Sequence, residues 1–135
     1  MFFAQYLVGA RGLQEQVLDA RRRILGEEHP NTLTSMNNLA ITLGNQGDLT
    51  GARGLEERVL AARRRILGEE HPDTLTSMNN LAGTLWKQGE LSGAYALQEQ
   101  VLAAYRRILG EEHFDTITAR SNLDAMRAGL DEAAA

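Results

Sequence analysis

Residues 68–109 read GEEHPDTLTSMNNLAGTLWKQGELSGAYALQEQVLAAYRRIL, and residues 26–67 read GEEHPNTLTSMNNLAITLGNQGDLTGARGLEERVLAARRRIL. The two blocks are identical at 31 of 42 positions with no gap. Gly-Glu-Glu-His opens at Gly26, Gly68 and Gly110, and Leu7–Leu25 stands in phase with Leu49–Leu67. The chain is therefore read as one domain over 1–135: a second-half repeat (1–25), two complete repeats (26–67 and 68–109), and a first-half repeat with a tail (110–135). Self-similarity at such a period is the mark of a stacked-repeat architecture.

Each unit divides into two amphipathic helices. Leu75, Met78, Leu81, Ala82 and Leu85 recur at helical spacing and form one apolar stripe. Pro72 suits the first turn, where the missing N–H is no loss. Gln88-Gly89 is the expected stop, because glycine accepts the left-handed conformation that ends helices. From Glu90 a second stripe follows through Leu91, Ala94, Leu97, Val101, Tyr105 and Ile108, with Arg106 and Arg107 opposing the dipole in the last turn and Gly110 ending it. The preceding unit repeats both stripes as Leu33, Met36, Leu39, Leu43 and Leu49, Ala52, Leu55, Val59, Ile66. A lone helical hairpin cannot bury both faces of its stripe, whereas stacked hairpins share a core. The small residues Gly51, Ala52, Gly93 and Ala94 are expected to let the two helices of a hairpin approach closely.

Composition narrows the function classes. Apolar residues make up 43 %, charged residues 24 %, and there are two prolines, which is a globular composition. With no cysteine, disulfides and thiolate metal sites are excluded, and a reducing, cytoplasmic location is the expectation. The apolar start Met1-Phe2-Phe3-Ala4-Gln5-Tyr6-Leu7-Val8 has no basic leader, so no signal peptide is expected. No apolar run approaches the roughly 20 residues of a membrane span, and a net charge of −4 argues against nucleic acid as partner.

Met78-x2-Leu81-Ala82-x2-Leu85 followed by Ala94 resembles the tetratricopeptide signature. The long period, His71-Pro72-Asp73-Thr74 and Ser77-Met78-Asn79-Asn80-Leu81-Ala82 are similar to the kinesin-light-chain type of that repeat, which also occurs in bacterial multidomain signalling proteins. Glu56 and Gln98 depart from it, standing where the family usually carries an aromatic. The resemblance implies an all-α, right-handed superhelix of about six antiparallel helices whose first helices line a concave groove for a peptide or partner helix. It also implies a non-catalytic protein-interaction scaffold with no cofactor. Transferred to this chain, the groove comprises Thr34, Asn37, Ile41 and Asn45, then Thr76, Asn79, Gly83, Trp86 and Lys87, with Ser121 in the last unit.

Among polar residues, the mid-helix pairs Asn37-Asn38 and Asn79-Asn80 stand out, since asparagine has mediocre helix propensity. An amide both donates and accepts, so Asn37 and Asn79 are read as gripping partner backbone, with Asn38 and Asn80 structural. Trp86 replaces Gly44 of the preceding unit and is either a groove anchor or packing filler. His29, His71 and His113 recur with the repeat; packed helices put consecutive copies about 10 Å apart, too far to share a zinc with bonds of about 2.0–2.1 Å. They are read as structural loop histidines. Arg21-Arg22-Arg23 and Arg63-Arg64-Arg65 precede Glu27-Glu28 and Glu69-Glu70, which makes them a charge-compensated helix end rather than a nucleic-acid patch. No phosphate loop, carboxylate pair or nucleophile–base set is visible, so no enzymatic activity is expected.

Stacked arrays need polar caps at their ends. Asp124 replaces Ala82 of the stripe and Arg127 replaces Leu85, which caps the last helix. Phe2, Phe3, Tyr6, Leu7 and Val8 instead present an apolar face. The alternative function is thus a structural self-assembly module, dimeric or head to tail, joined through Phe2, Phe3, Tyr6 and Leu7.

Overall fold

Helix boundaries fall where the punctuation of the repeat puts them. The computed structural model describes the backbone of residues 2–135 and the side chains from Gly9 onward. Six helices follow one another: α1 (Phe2–Leu25), α2 (Pro30–Asn45), α3 (Leu49–Leu67), α4 (Pro72–Lys87), α5 (Leu91–Leu109) and α6 (Phe114–Ala134). The fold is an all-α helical repeat, with no strand among the described residues. The side chains of Phe2, Phe3, Tyr6 and Leu7, proposed for self-association, lie outside the described residues.

Pro30 and Pro72 open their helices, and the histidine before each is the N-cap. The Nδ1 atoms of His29, His71 and His113 accept hydrogen bonds from the backbone N–H groups of Asn31 (3.1 Å), Asp73 (3.0 Å) and Asp115 (3.1 Å). An imidazole here does the work usually given to serine or aspartate, which accounts for its recurrence. At the other end of α4, the Glu90 N–H donates to the Leu85 carbonyl at 2.9 Å and the Gln88 N–H to the Thr84 carbonyl at 3.0 Å. Closing that turn requires φ +84° at position 89, which glycine adopts without steric cost.

The chain groups into two compact units, Met1–Ala62 and Arg63–Ala135, divided within α3. In the first, Leu18 of α1, Leu33, Met36, Leu39, Ala40 and Leu43 of α2, and Ala52, Val59 and Ala62 of α3 form one buried cluster, with Leu55 packed against it. Arg21 joins α1 to α2, donating to Ser35 Oγ at 2.7 Å and the Asn31 carbonyl at 3.1 Å. In the second, α5 packs on both α4 and α6. Leu75, Met78, Leu81, Ala82, Leu85, Ala94, Val101, Leu102, Ala104, Ala119 and Leu123 are buried. Burying a leucine or methionine side chain contributes about 1.5–3 kcal/mol, so these stripes dominate the fold's stability.

Arg63 repeats the Arg21 link, donating to Ser77 Oγ at 2.8 Å and the Asp73 carbonyl at 3.2 Å. Burial pulls its guanidinium below the ordinary arginine range, with the nearby Asp73 carboxylate opposing. Tyr105 stands at that position in the next copy, and burial, then the Asp115 carboxylate, push its phenol upward. The arginine runs are compensated: Arg22 pairs with Glu27 at 3.2 Å, Arg64 with Glu69 at 3.1 Å, and Arg107 with Glu70.

Two expectations about the second helices need correction. Ile66 and Ile108 are 49 % and 48 % exposed, not core. Close approach rests on Ala52 and Ala94, both fully buried, rather than on the neighbouring glycines. A Cβ at Gly93 would make ordinary contact with Leu85 at 3.6 Å, and one at Gly51 would press on the side chain of Asp48 at 2.6 Å, a neighbour in its own first turn.

Candidate functional site

A cleft of about 380 Å³ opens in the second unit between α4 and α6, with α5 beneath it. Asn79, Gly83, Trp86 and Lys87 form the α4 wall, at spacings of four, seven and eight residues that keep them on one helical face. Asn122, Ala125 and Met126 form the α6 wall, and Gln98 of α5 contributes from below. Four of the expected groove residues are thus brought together. Thr76 stays outside this cleft, exposed, with its hydroxyl donating to the Pro72 carbonyl at 3.0 Å. Ser121 is also outside and exposed, and its neighbour Asn122 lines the wall instead. On α2, Thr34, Ile41 and Asn45 are exposed and Asn37 is half-buried.

The paired asparagines behave differently in the two units. In α4, Asn79 is exposed on the cleft and Asn80 is half-buried. In α2 the order reverses, with Asn37 half-buried and Asn38 exposed. Asn37 and Asn80 are each engaged with a neighbouring group.

Trp86 both lines the cleft and packs against α6. Its half-buried ring lines the cleft, and its far edge lies over Gly129 of α6, where an added Cβ would sit 2.6 Å from Cη2 and Cζ2. The indole thus fits only because position 129 carries no side chain. On the same wall, Gly83 leaves open space, with nothing within 4 Å of where its Cβ would be apart from its own helix. The preceding repeat has the inverse arrangement, Ile41 and Gly44, at these two positions.

Sequence reasoning did not single out Gln98 or Met126 as cleft residues. Gln98 is 1 % exposed, and its Nε2 has no hydrogen-bond partner. A buried amide left unpaired costs about 1–3 kcal/mol. The internal repeats held a signal for it. Eleven positions differ between 26–67 and 68–109, and positions 83, 86, 87 and 98 are among them, replacing Ile41, Gly44, Asn45 and Glu56. The apolar stripe of the first helix does not vary, and four of the eleven differences fall on the cleft lining while the other seven lie elsewhere. Lys87 is the charged member of the lining. Among the described residues, no group of three or more histidines and carboxylates is placed to hold a metal ion, and no helix is long and apolar enough to cross a membrane.

Tetratricopeptide repeats match at residues 7–31, 32–73 and 74–115, with the period read from the sequence. The chain belongs to the tetratricopeptide repeat family. Its repeats are of the kinesin-light-chain-like type. A Podosopora anserina protein assigned as a kinesin light chain, with nearly identical TPR-like repeats, superposes with TM-score 0.83 at 32 % identity, over 89 % of this chain and 57 % of that one. A point variant of the same fungal protein gives 0.82 at the same identity and coverage. BtubC (BKLC) from P. vanneervenii shares the fold, with TM-score 0.69 at 17 % identity over 94 % of this chain and 59 % of that one. This tetratricopeptide chain therefore spans little more than half of each of these structures. No curated protein matches it significantly.

Proposed function

We propose that this tetratricopeptide chain is a protein-interaction scaffold that holds a peptide or helical segment of a partner in the α4–α6 cleft. The supporting observation is the convergence of Asn79, Gly83, Trp86 and Lys87 with Asn122, Ala125, Met126 and Gln98 around one opening. Aromatic residues carry a large share of binding energy at interfaces, and Trp86 and Met126 supply the apolar contact area. Asn79 and Asn122 supply amides that both donate and accept. Of the remaining groove positions, Thr34, Asn37, Ile41 and Asn45 of α2 are assigned a contact surface of the first unit by itself, and Thr76 and Ser121 are assigned to the margins of the α4–α6 cleft. Selection of random dodecapeptides displayed on phage against the wild-type chain tests this. Selected peptides are expected to lose at least tenfold in affinity for folded Trp86→Ala and Asn79→Ala variants. Peptides that bind both variants as tightly as wild type would overturn the cleft as the binding site.

A second reading, self-association through α1, is favoured by one observation. Leu13 and Val17 of α1 are 65 % and 45 % exposed, whereas Val59 and Val101 at the repeat position of Val17 are 1 % exposed. The α6 face bearing Arg120, Asp124 and Arg127 is charged, so an α1-to-α1 dimer is preferred over head-to-tail contact, which would bury those charges. Light scattering across a concentration series distinguishes a dimer from a monomer, and Val17→Glu should dissociate the dimer.

A further inference from the structure

Resting on the cleft as the binding site, we infer that Gln98 is a ligand contact that selects an extended peptide over a helix by pairing with a main-chain peptide group. The side chain rises from α5 into the base of the cleft, is 1 % exposed, and carries an amide nitrogen with no hydrogen-bond partner in the protein. Most buried polar groups are paired, and unlike the unpaired hydroxyl of Thr74, which lies outside the cleft lining, the Gln98 amide lines an opening through which a partner can reach it. Chemistry narrows the choice of that partner. An amide offers one donor end and one acceptor end, and the group that matches both is another amide. A helical ligand has its interior N–H and C=O groups bonded to itself. An extended segment has them free.

Position 56, the counterpart of 98, is glutamate, so the two copies differ at this point by an amide for a carboxyl. Asn79 and Asn122 flank the same opening with two further amides, so α4, α5 and α6 each present an amide to it. Trp86, Met126 and Ala125 then receive the side chain on one side of the gripped peptide group.

The test uses the full chain and the tightest dodecapeptide selected on it, synthesised and titrated calorimetrically. Gln98→Met keeps length and volume while removing the amide. It is expected to bind the peptide about tenfold more weakly, the effect of one lost hydrogen bond, and to unfold at a higher urea concentration than wild type. Binding within twofold of wild type would overturn the inference while leaving the cleft reading intact. Loss of the cleft reading shows separately, as unchanged binding to Trp86→Ala. Should Gln98→Met fail to fold, the wild-type Gln98 side-chain NH2 resonances decide. They are expected to shift on adding peptide, and invariance would overturn the assignment.

Discussion

Gly129→Ala and Gly54→Ala make the same chemical change in two helices and are expected to act in opposite directions. In α3, a Cβ at Gly54 meets nothing within 4 Å, so the substitution gains only helix propensity. That gain is up to about 1 kcal/mol, and Ala96 already occupies the corresponding position in the next repeat. In α6, the Cβ of Gly129→Ala would sit 2.6 Å from two ring carbons of Trp86, well inside contact distance. Overpacking of this kind costs about 1–3 kcal/mol, which exceeds the propensity gain near a helix end. The net expectation is a loss of about 0.5–2 kcal/mol, or displacement of the indole with a smaller loss. Urea titration followed by circular dichroism gives the stabilities. Trp86 is the only tryptophan in the chain, so its emission maximum reports the ring's position without ambiguity. Gly129→Ala stabilising as much as Gly54→Ala, with unchanged emission, would refute the placement of Trp86 over α6 and with it the shape of the cleft.

Other substitutions probe the repeat itself. Met78→Ala empties a fully buried site in α4 and should cost about 2–5 kcal/mol in urea unfolding. His71→Ala removes the acceptor for the Asp73 N–H and should cost about 0.5–2 kcal/mol, with His71→Asp restoring most of it, both read as thermal midpoints. Thr74 is fully buried with its hydroxyl unpartnered, so Thr74→Val should be neutral or raise stability by about 1 kcal/mol in the same urea assay. Arg63→Ala loses the bonds to Ser77 and the Asp73 carbonyl, and a drop of about 1–2 kcal/mol is expected in the urea assay.

The first helices of each hairpin were legible because proline, glycine and a five-residue apolar stripe agree on their limits and inner face. Leu75, Met78, Leu81, Ala82 and Leu85 are all buried, as their spacing requires. The second helices were less legible. Their apolar residues form a broad band, and spacing alone does not say which edge of it faces inward. Leu60 and Leu102 are 3 % exposed, while Ile66 and Ile108, on the same helices, are about half exposed. Gln98 was hidden for a different reason: a polar residue in a helix reads as solvent-facing unless a cleft above it is known. The histidines were read as loop residues because N-caps are usually serine, threonine, aspartate or asparagine, and nothing local distinguishes an imidazole cap from a loop histidine. Of the α6 wall, Asn122 and Met126 became visible only once α6 was seen facing α4.

Photo-crosslinking tests the central claim most directly. The tightest selected dodecapeptide, carrying a photoreactive phenylalanine analogue at its centre, would be irradiated with the wild-type chain and the adducts mapped by mass spectrometry. Adducts concentrated within residues 79–87 and 122–126 are predicted. Adducts confined to α1, or spread evenly over the six helices, would contradict it.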